Sequence, residues 1–136
     1  RMGLLRGYGN AIVPPLAAAI APAAHAGAFQ SPSGNIGCYL SSGGVRCDIA
    51  QHSWSAPAKP KRCELDWGGG LGVNRRGTRG YVVCAGDTTL HQGRRLAYGH
   101  SVHGWGMTCT SRTSGMTCRN AGGHGFRLSR ESYRLF

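Results

Sequence analysis

Two segments of this chain carry the same arrangement of cysteines, and that arrangement limits the fold more than any other feature. GNIGCYLSSGGVRCDIA, from Gly34 to Ala50, and GWGMTCTSRTSGMTCRNA, from Gly104 to Ala121, each hold two cysteines with eight residues between them. Aligned on the cysteines, Ile36 falls against Met107, Gly44 against Gly115, Val45 against Met116 and Ala50 against Ala121. Directly opposed residues of an antiparallel hairpin lie about 4.5 Å apart at Cα when no hydrogen bonds join them, a separation a disulfide can bridge. Counting inward from Cys38 and Cys47 pairs Leu40 with Val45 and leaves Ser42-Gly43 at the turn. The same count in the second segment leaves Thr113-Ser114, with room for a wider loop that takes in Gly115. Disulfides Cys38–Cys47 and Cys109–Cys118 are therefore expected, which leaves Cys63 with Cys84, although six cysteines allow other connectivities. Each bond would contribute roughly 2–4 kcal/mol by restricting the unfolded chain.

The rest of the chain reads as short strands and turns. Tyr81-Val82-Val83-Cys84 is β-branched and aromatic and is bounded by Gly80 and Gly86, Phe126 to Leu128 alternates, and Tyr133 to Phe136 suits a final edge strand. Loops are expected over Ser55 to Lys61, which contains Pro57 and Pro60, and at Gly68-Gly69-Gly70 before Leu71-Gly72. No segment sustains a helical period. With 136 residues there is room for one domain, and 23 glycines favour tight turns. The expected class is all-β or β-rich: a small antiparallel sheet or partly open barrel of short hairpins, stapled by three disulfides.

Residues 1–26 read as a signal-peptide-like or fused segment, ahead of a single domain over 27–136. Arg1 and Arg6 precede an apolar stretch from Ala11 to Ala24, which closes on Ala24-His25-Ala26 before Gly27. This is the order of an export signal, and the stretch falls short of the roughly 20 apolar residues of a membrane span. LRGYGNAIVPPLAAAI, residues 5–20, also resembles the C-terminal tail of phage-type cytosine-C5 DNA methyltransferases. That resemblance implies that Gly9, Asn10 and Ala11 lie near an S-adenosylmethionine pocket. The chain contains neither a Pro-Cys nor a Glu-Asn-Val motif, so no methyltransferase activity is expected of it.

The body carries Ser31-Pro32-Ser33-Gly34-Asn35-Ile36-Gly37-Cys38, Val45-Arg46-Cys47-Asp48-Ile49, Cys84-Ala85-Gly86-Asp87 and Gly123-His124-Gly125-Phe126 with Leu128-Ser129-Arg130. On these motifs, residues 29–136 resemble small secreted cysteine-rich proteins of high-GC Gram-positive bacteria that form a domain family of unknown function. The resemblance implies export and oxidised cysteines, and it supplies no catalytic residue.

The remaining polar residues supply several partial constellations. His100 and His103, with His91 and His124, fall short of the converging ligand set a zinc site needs, so neither metal nor cofactor is expected. Asp48, His52 and Ser53 supply the residue types of a nucleophilic triad but crowd together in sequence, and no G-x-S-x-G elbow is present. Glu64 and Asp66 would share one face of a strand beside Trp67, the outline of a glycosidase carboxylate pair without a visible cleft. Sixteen Lys and Arg against five Asp and Glu give a formal charge of +11, which attracts polyanions. Arg75, Arg76 and Arg79, then Arg94 and Arg95, beside Tyr81 and Tyr98, combine fork-shaped cations with flat rings and form the expected anion-binding set. The reading that follows is a secreted, non-catalytic binding module at the cell envelope or outside the cell. Its partner is expected to be an anionic envelope polymer or an extracellular protein, with no specific nucleic-acid site. A small envelope hydrolase and a secreted toxin or inhibitor are the alternatives.

Overall fold

A computed structural model describes residues 27–136, all of it strand, turn and loop; the export-signal and methyltransferase-like readings of residues 1–26 lie outside the described residues. The first sheet contains β1 (Gly27–Gln30), β2 (Ile36–Ser41), β3 (Gly44–Ile49), β4 (Asp66–Asn74), β5 (Tyr81–Ala85) and the two-residue β6 (Arg94–Arg95). Its spatial order is β5-β4-β3-β2-β1-β6, antiparallel throughout except for the short β1–β6 pair. The second sheet contains β7 (Ser101–Gly104), β8 (Met107–Arg112), β9 (Gly115–Arg119), β10 (Gly125–Leu128) and β11 (Tyr133–Leu135), in the order β11-β10-β9-β8-β7. The two five-stranded meanders, β1 to β5 and β7 to β11, therefore have the same build. They form two packed sheets and do not close into a barrel.

The cysteine hairpins occupy equivalent places in the two meanders. Cys38 faces Cys47 and Cys109 faces Cys118, each pair 4.0 Å apart at Cα and disulfide-bonded, with Leu40 opposite Val45 as counted. Arg112 pairs with Gly115, so the second turn is also two residues, and the wider loop is not formed. Gly44 and Gly115 are equivalent in use as well as in sequence. A Cβ on Gly44 would meet the Val73 carbonyl of β4, and one on Gly115 the Leu128 carbonyl of β10. Cys47 and Cys118 bring their sulfurs to 3.8 Å across the two sheets, at the centre of a core that includes Leu40, Leu71, Val73, Phe126 and Leu128. The third disulfide, Cys63–Cys84, ties the long β3–β4 connection to β5.

The glycine run expected to be a loop lies instead inside β4, which continues through Gly68, Gly69 and Gly70 with an irregular register between Trp67 and Leu71. The reason is space. Gly70 lies opposite Asp48, and a Cβ there would overlap the Asp48 carboxylate and the Cys47 carbonyl; one on Gly72 would enter the Tyr81 ring. Both faces of the first sheet are therefore covered. Its inner face packs on the second sheet, and its outer face carries Tyr39, Arg46 and Asp48 beneath residues 86–93, which cross from β5 to β6. Where this strap passes over β2, a Cβ on Gly37 would meet the backbone of Thr89 and Leu90.

Candidate functional site

The strap is held by a buried charge network. Arg46 is 2% exposed; its Nε and Nη2 donate to the two oxygens of Asp48 at 2.9 and 2.7 Å, and its Nη1 and Nη2 donate to Asp87 Oδ1 and the Asp87 carbonyl at 3.0 and 2.8 Å. Burial disfavours the Arg46 charge, but the hydrogen bonds and attraction of Asp48 and Asp87 outweigh it and raise the guanidinium pKa. Thr89 completes the network: its N–H donates to Asp48 Oδ2, and its hydroxyl accepts from the Asp48 N–H and donates to the Gly37 carbonyl. Apart from Asp87 Oδ2, which is buried without a hydrogen-bond partner among the described residues, these groups are spent on one another and hold the strap to the sheet.

A different region leaves its polar groups on the surface. Alternation along β8 to β11 turns Thr108, Thr110, Thr117, Arg119, Arg127 and Arg134 to the outer face of the second sheet. Arg127 and Arg134 lie directly opposite each other, a like-charge pair that destabilises a sheet unless something compensates it. No strand of this sheet contains Asp or Glu. Arg119 lies 4.7 Å and Arg134 5.7 Å from the centre of the Phe136 ring, within cation–π range.

One end of this face is joined to the β4–β5 turn. Asn120 is 5% exposed; its Nδ2 donates to the carbonyls of Asn74 and Gly77, and its Oδ1 accepts from the N–H groups of Gly122 and His124. The Phe136 carbonyl accepts from both Gly80 and Gly125. Arg75, Arg76 and Arg79 are thus set beside Arg119, Arg134 and Phe136, and Arg75 and Arg76 line an open groove with Ser42 and Gly43. At the same end, the β7–β8 turn is Trp105-Gly106, with positive φ at both residues (50° and 77°), as a type I′ turn requires. A tryptophan rarely adopts that conformation, and Trp105 is also exposed.

The residues singled out from sequence are distributed as follows. Arg94 and Arg95 form β6, separated from β4 by three intervening strands, about 19 Å at the usual strand spacing, and Arg95 donates to the Pro32 carbonyl. The five arginines are therefore two separate groups. Sequence reasoning missed Arg119, Arg127 and Arg134; their alternation about Cys118 and Phe126 was the available signal. His52 stacks on Trp54, Ser53 donates to the Arg130 carbonyl, and Asp48 binds Arg46, so each of the three has its own partner. Glu64 precedes β4, which starts at Asp66, so the two carboxylates do not share a strand face. His103 contacts the Thr108 hydroxyl, and among the described residues no group of three His, Cys, Asp or Glu side chains is placed to hold a metal ion. Among the described residues no helix is long and apolar enough to cross a membrane. No curated protein and no solved structure matches the chain. The model of a family of unknown function, DUF6636, matches residues 10–136, and the chain belongs to that family.

Proposed function

We propose that this protein is a secreted, non-catalytic module that binds an anionic polymer of the cell envelope through the arginine-rich end of its second sheet. The observation that carries the reading is that Asn120 ties the β4–β5 turn, with Arg75, Arg76 and Arg79, to the end of the second sheet where Arg119 and Arg134 flank Phe136 and Trp105 is exposed, a sheet whose strands hold no carboxylate. Guanidinium groups bind carboxylate and phosphate in a forked geometry, and exposed rings add stacking area. Three disulfides support an oxidising compartment, where nucleic acid is a less available partner than wall or lipid-linked polyanions.

The test is retention on an immobilised anionic polymer, a polyuronate or a polyphosphate, over a series of salt concentrations, with neutral dextran as control. Binding to a polyelectrolyte that releases counterions weakens linearly in log–log form as salt rises, as it does for nucleic acid. The expected result is retention on the anionic matrices alone, lost steeply with salt. Retention that ignores salt, or equal retention on dextran, sinks the proposal.

A further inference from the structure

A cavity of about 180 Å³ opens at the far end of the same sheet, where the β1–β2 and β8–β9 turns approach the loop after β10. Its most buried polar group is the Ser111 hydroxyl, 1% exposed and without a hydrogen-bond partner among the described residues. An unsatisfied buried hydroxyl is destabilising unless a ligand or water completes it. Beside Ser111, the buried side chains of Ile36 and Met116 form an apolar floor. At the rim stands Tyr98, 52% exposed, on a loop fixed by hydrogen bonds from Gly99 N–H to the Ser111 carbonyl and from Ser111 N–H to the His100 carbonyl. Arg112, Arg130 and Glu131 also line the cavity, two cations against one carboxylate, and Arg130 Nη2 donates to Gln51 Oε1.

From this arrangement we infer that the cavity is a subsite for one pyranose unit carrying an anionic substituent, an inference that rests on the polymer-binding reading and extends it. A hydroxyl both donates and accepts, so Ser111 can pair with a sugar hydroxyl in either role. The C–H face of a pyranose matches the apolar floor and the Tyr98 ring, and a carboxylate or phosphate on the ring meets Arg112 and Arg130. The β8–β9 turn that supplies Thr113 to the pocket wall is also tied to the outer face of the sheet, where Arg127 Nη1 donates to the Ser114 carbonyl.

Calorimetric titration of the protein with methyl glucuronide, methyl glucoside and acetate tests the subsite. Saturable binding of the glucuronide is expected, with the glucoside weaker and acetate absent. Ser111→Ala and Tyr98→Ala are each expected to weaken the glucuronide by about tenfold, the scale of one lost contact. Ser111→Ala leaves thermal stability unchanged or raised, since it removes a hydroxyl that has no partner. No saturable glucuronide binding, acetate binding as tightly as the sugar, or unaltered affinity in both variants overturns the subsite. Salt-sensitive polymer retention that survives such a result leaves the polymer reading standing. Glucuronide binding without polymer retention overturns only the polymer reading.

Discussion

At the scale of single residues, the most consequential side chain is Arg46, which was visible in the sequence only as one letter of VRCDI. Its partners are two carboxylates with side chains 7% and 9% exposed, so truncation leaves two buried anions facing each other. Breaking a buried pair in this way costs about 3–5 kcal/mol. Arg46→Met is therefore expected to lower the free energy of unfolding, measured by urea titration, by that amount, and Arg46→Lys by less, since lysine keeps the charge but not the fork. The folded-state pKa of Arg46 is raised, so its linked stability is complete below the ordinary guanidinium pKa and is lost only as pH rises through the higher folded value. Between pH 5 and 9 that contribution is constant. Trp105 presents the opposite case, a residue that violates a local rule. Left-handed backbone in a bulky residue costs of order 1 kcal/mol, whereas Asn-Gly is the preferred sequence for such a turn. Trp105→Asn is expected to raise thermal stability while weakening retention on the anionic polymer; a variant that gains stability with full retention removes Trp105 from the binding surface.

At the scale of elements, what was legible followed from side-chain alternation. Eight residues between cysteines, with an alternation period of two, are enough to place Cys38 opposite Cys47 and Cys109 opposite Cys118 before any other contact is known. The run Gly68 to Gly70 reads as a turn because glycine is a turn former locally, while in the sheet Gly70 makes room for Asp48 of the neighbouring strand. Arg119, Arg127 and Arg134 were not legible for a related reason: a charge on alternate positions acquires meaning only once the facing strand is known to add another charge. What no sequence pattern disclosed is that the two cystines touch. Loop closure over sequence separations of 9 and 21 assigns about 2.7 kcal/mol to each hairpin bond and about 3.4 to Cys63–Cys84. Side chains in contact are not additive, whereas distant ones are. In a double-mutant cycle, C38A/C47A and C109A/C118A are expected to couple by 0.5 kcal/mol or more, within the roughly 0.5–3 kcal/mol range of neighbouring sites. C63A/C84A is expected to add to either pair within about 0.5 kcal/mol. Full additivity of the two hairpin pairs would show that the 3.8 Å contact carries no energy.

At the scale of the whole molecule, charge is sorted in a way that the net +11 does not describe. Asp48, Asp66 and Asp87 gather around Arg46 on the outer side of the first sheet, lining a cavity of about 160 Å³. The strands of the second sheet have arginine and no acid. On the polymer-binding proposal, a polyanion is steered toward the end where Arg119 and Arg134 flank Phe136 and not toward the acidic side of the first sheet. If binding were a matter of total charge, any arginines removed in equal number would weaken it equally. The geometry makes a sharper demand, because Arg75 and Arg76 are clamped to the second sheet through Asn120 while Arg94 and Arg95 lie at the opposite edge of the first. Replacing Arg75 and Arg76 by glutamate, and separately Arg94 and Arg95, alters net charge by the same amount in exposed or half-buried positions. The first pair is expected to cut polymer affinity by about tenfold or more at low salt and to flatten its salt dependence, since fewer counterions are then released. The second should shift affinity only slightly, through the screened field beyond about 10 Å. Equal losses from the two pairs would mean that the polymer responds to total charge and that the Asn120-clamped surface has no special part in binding.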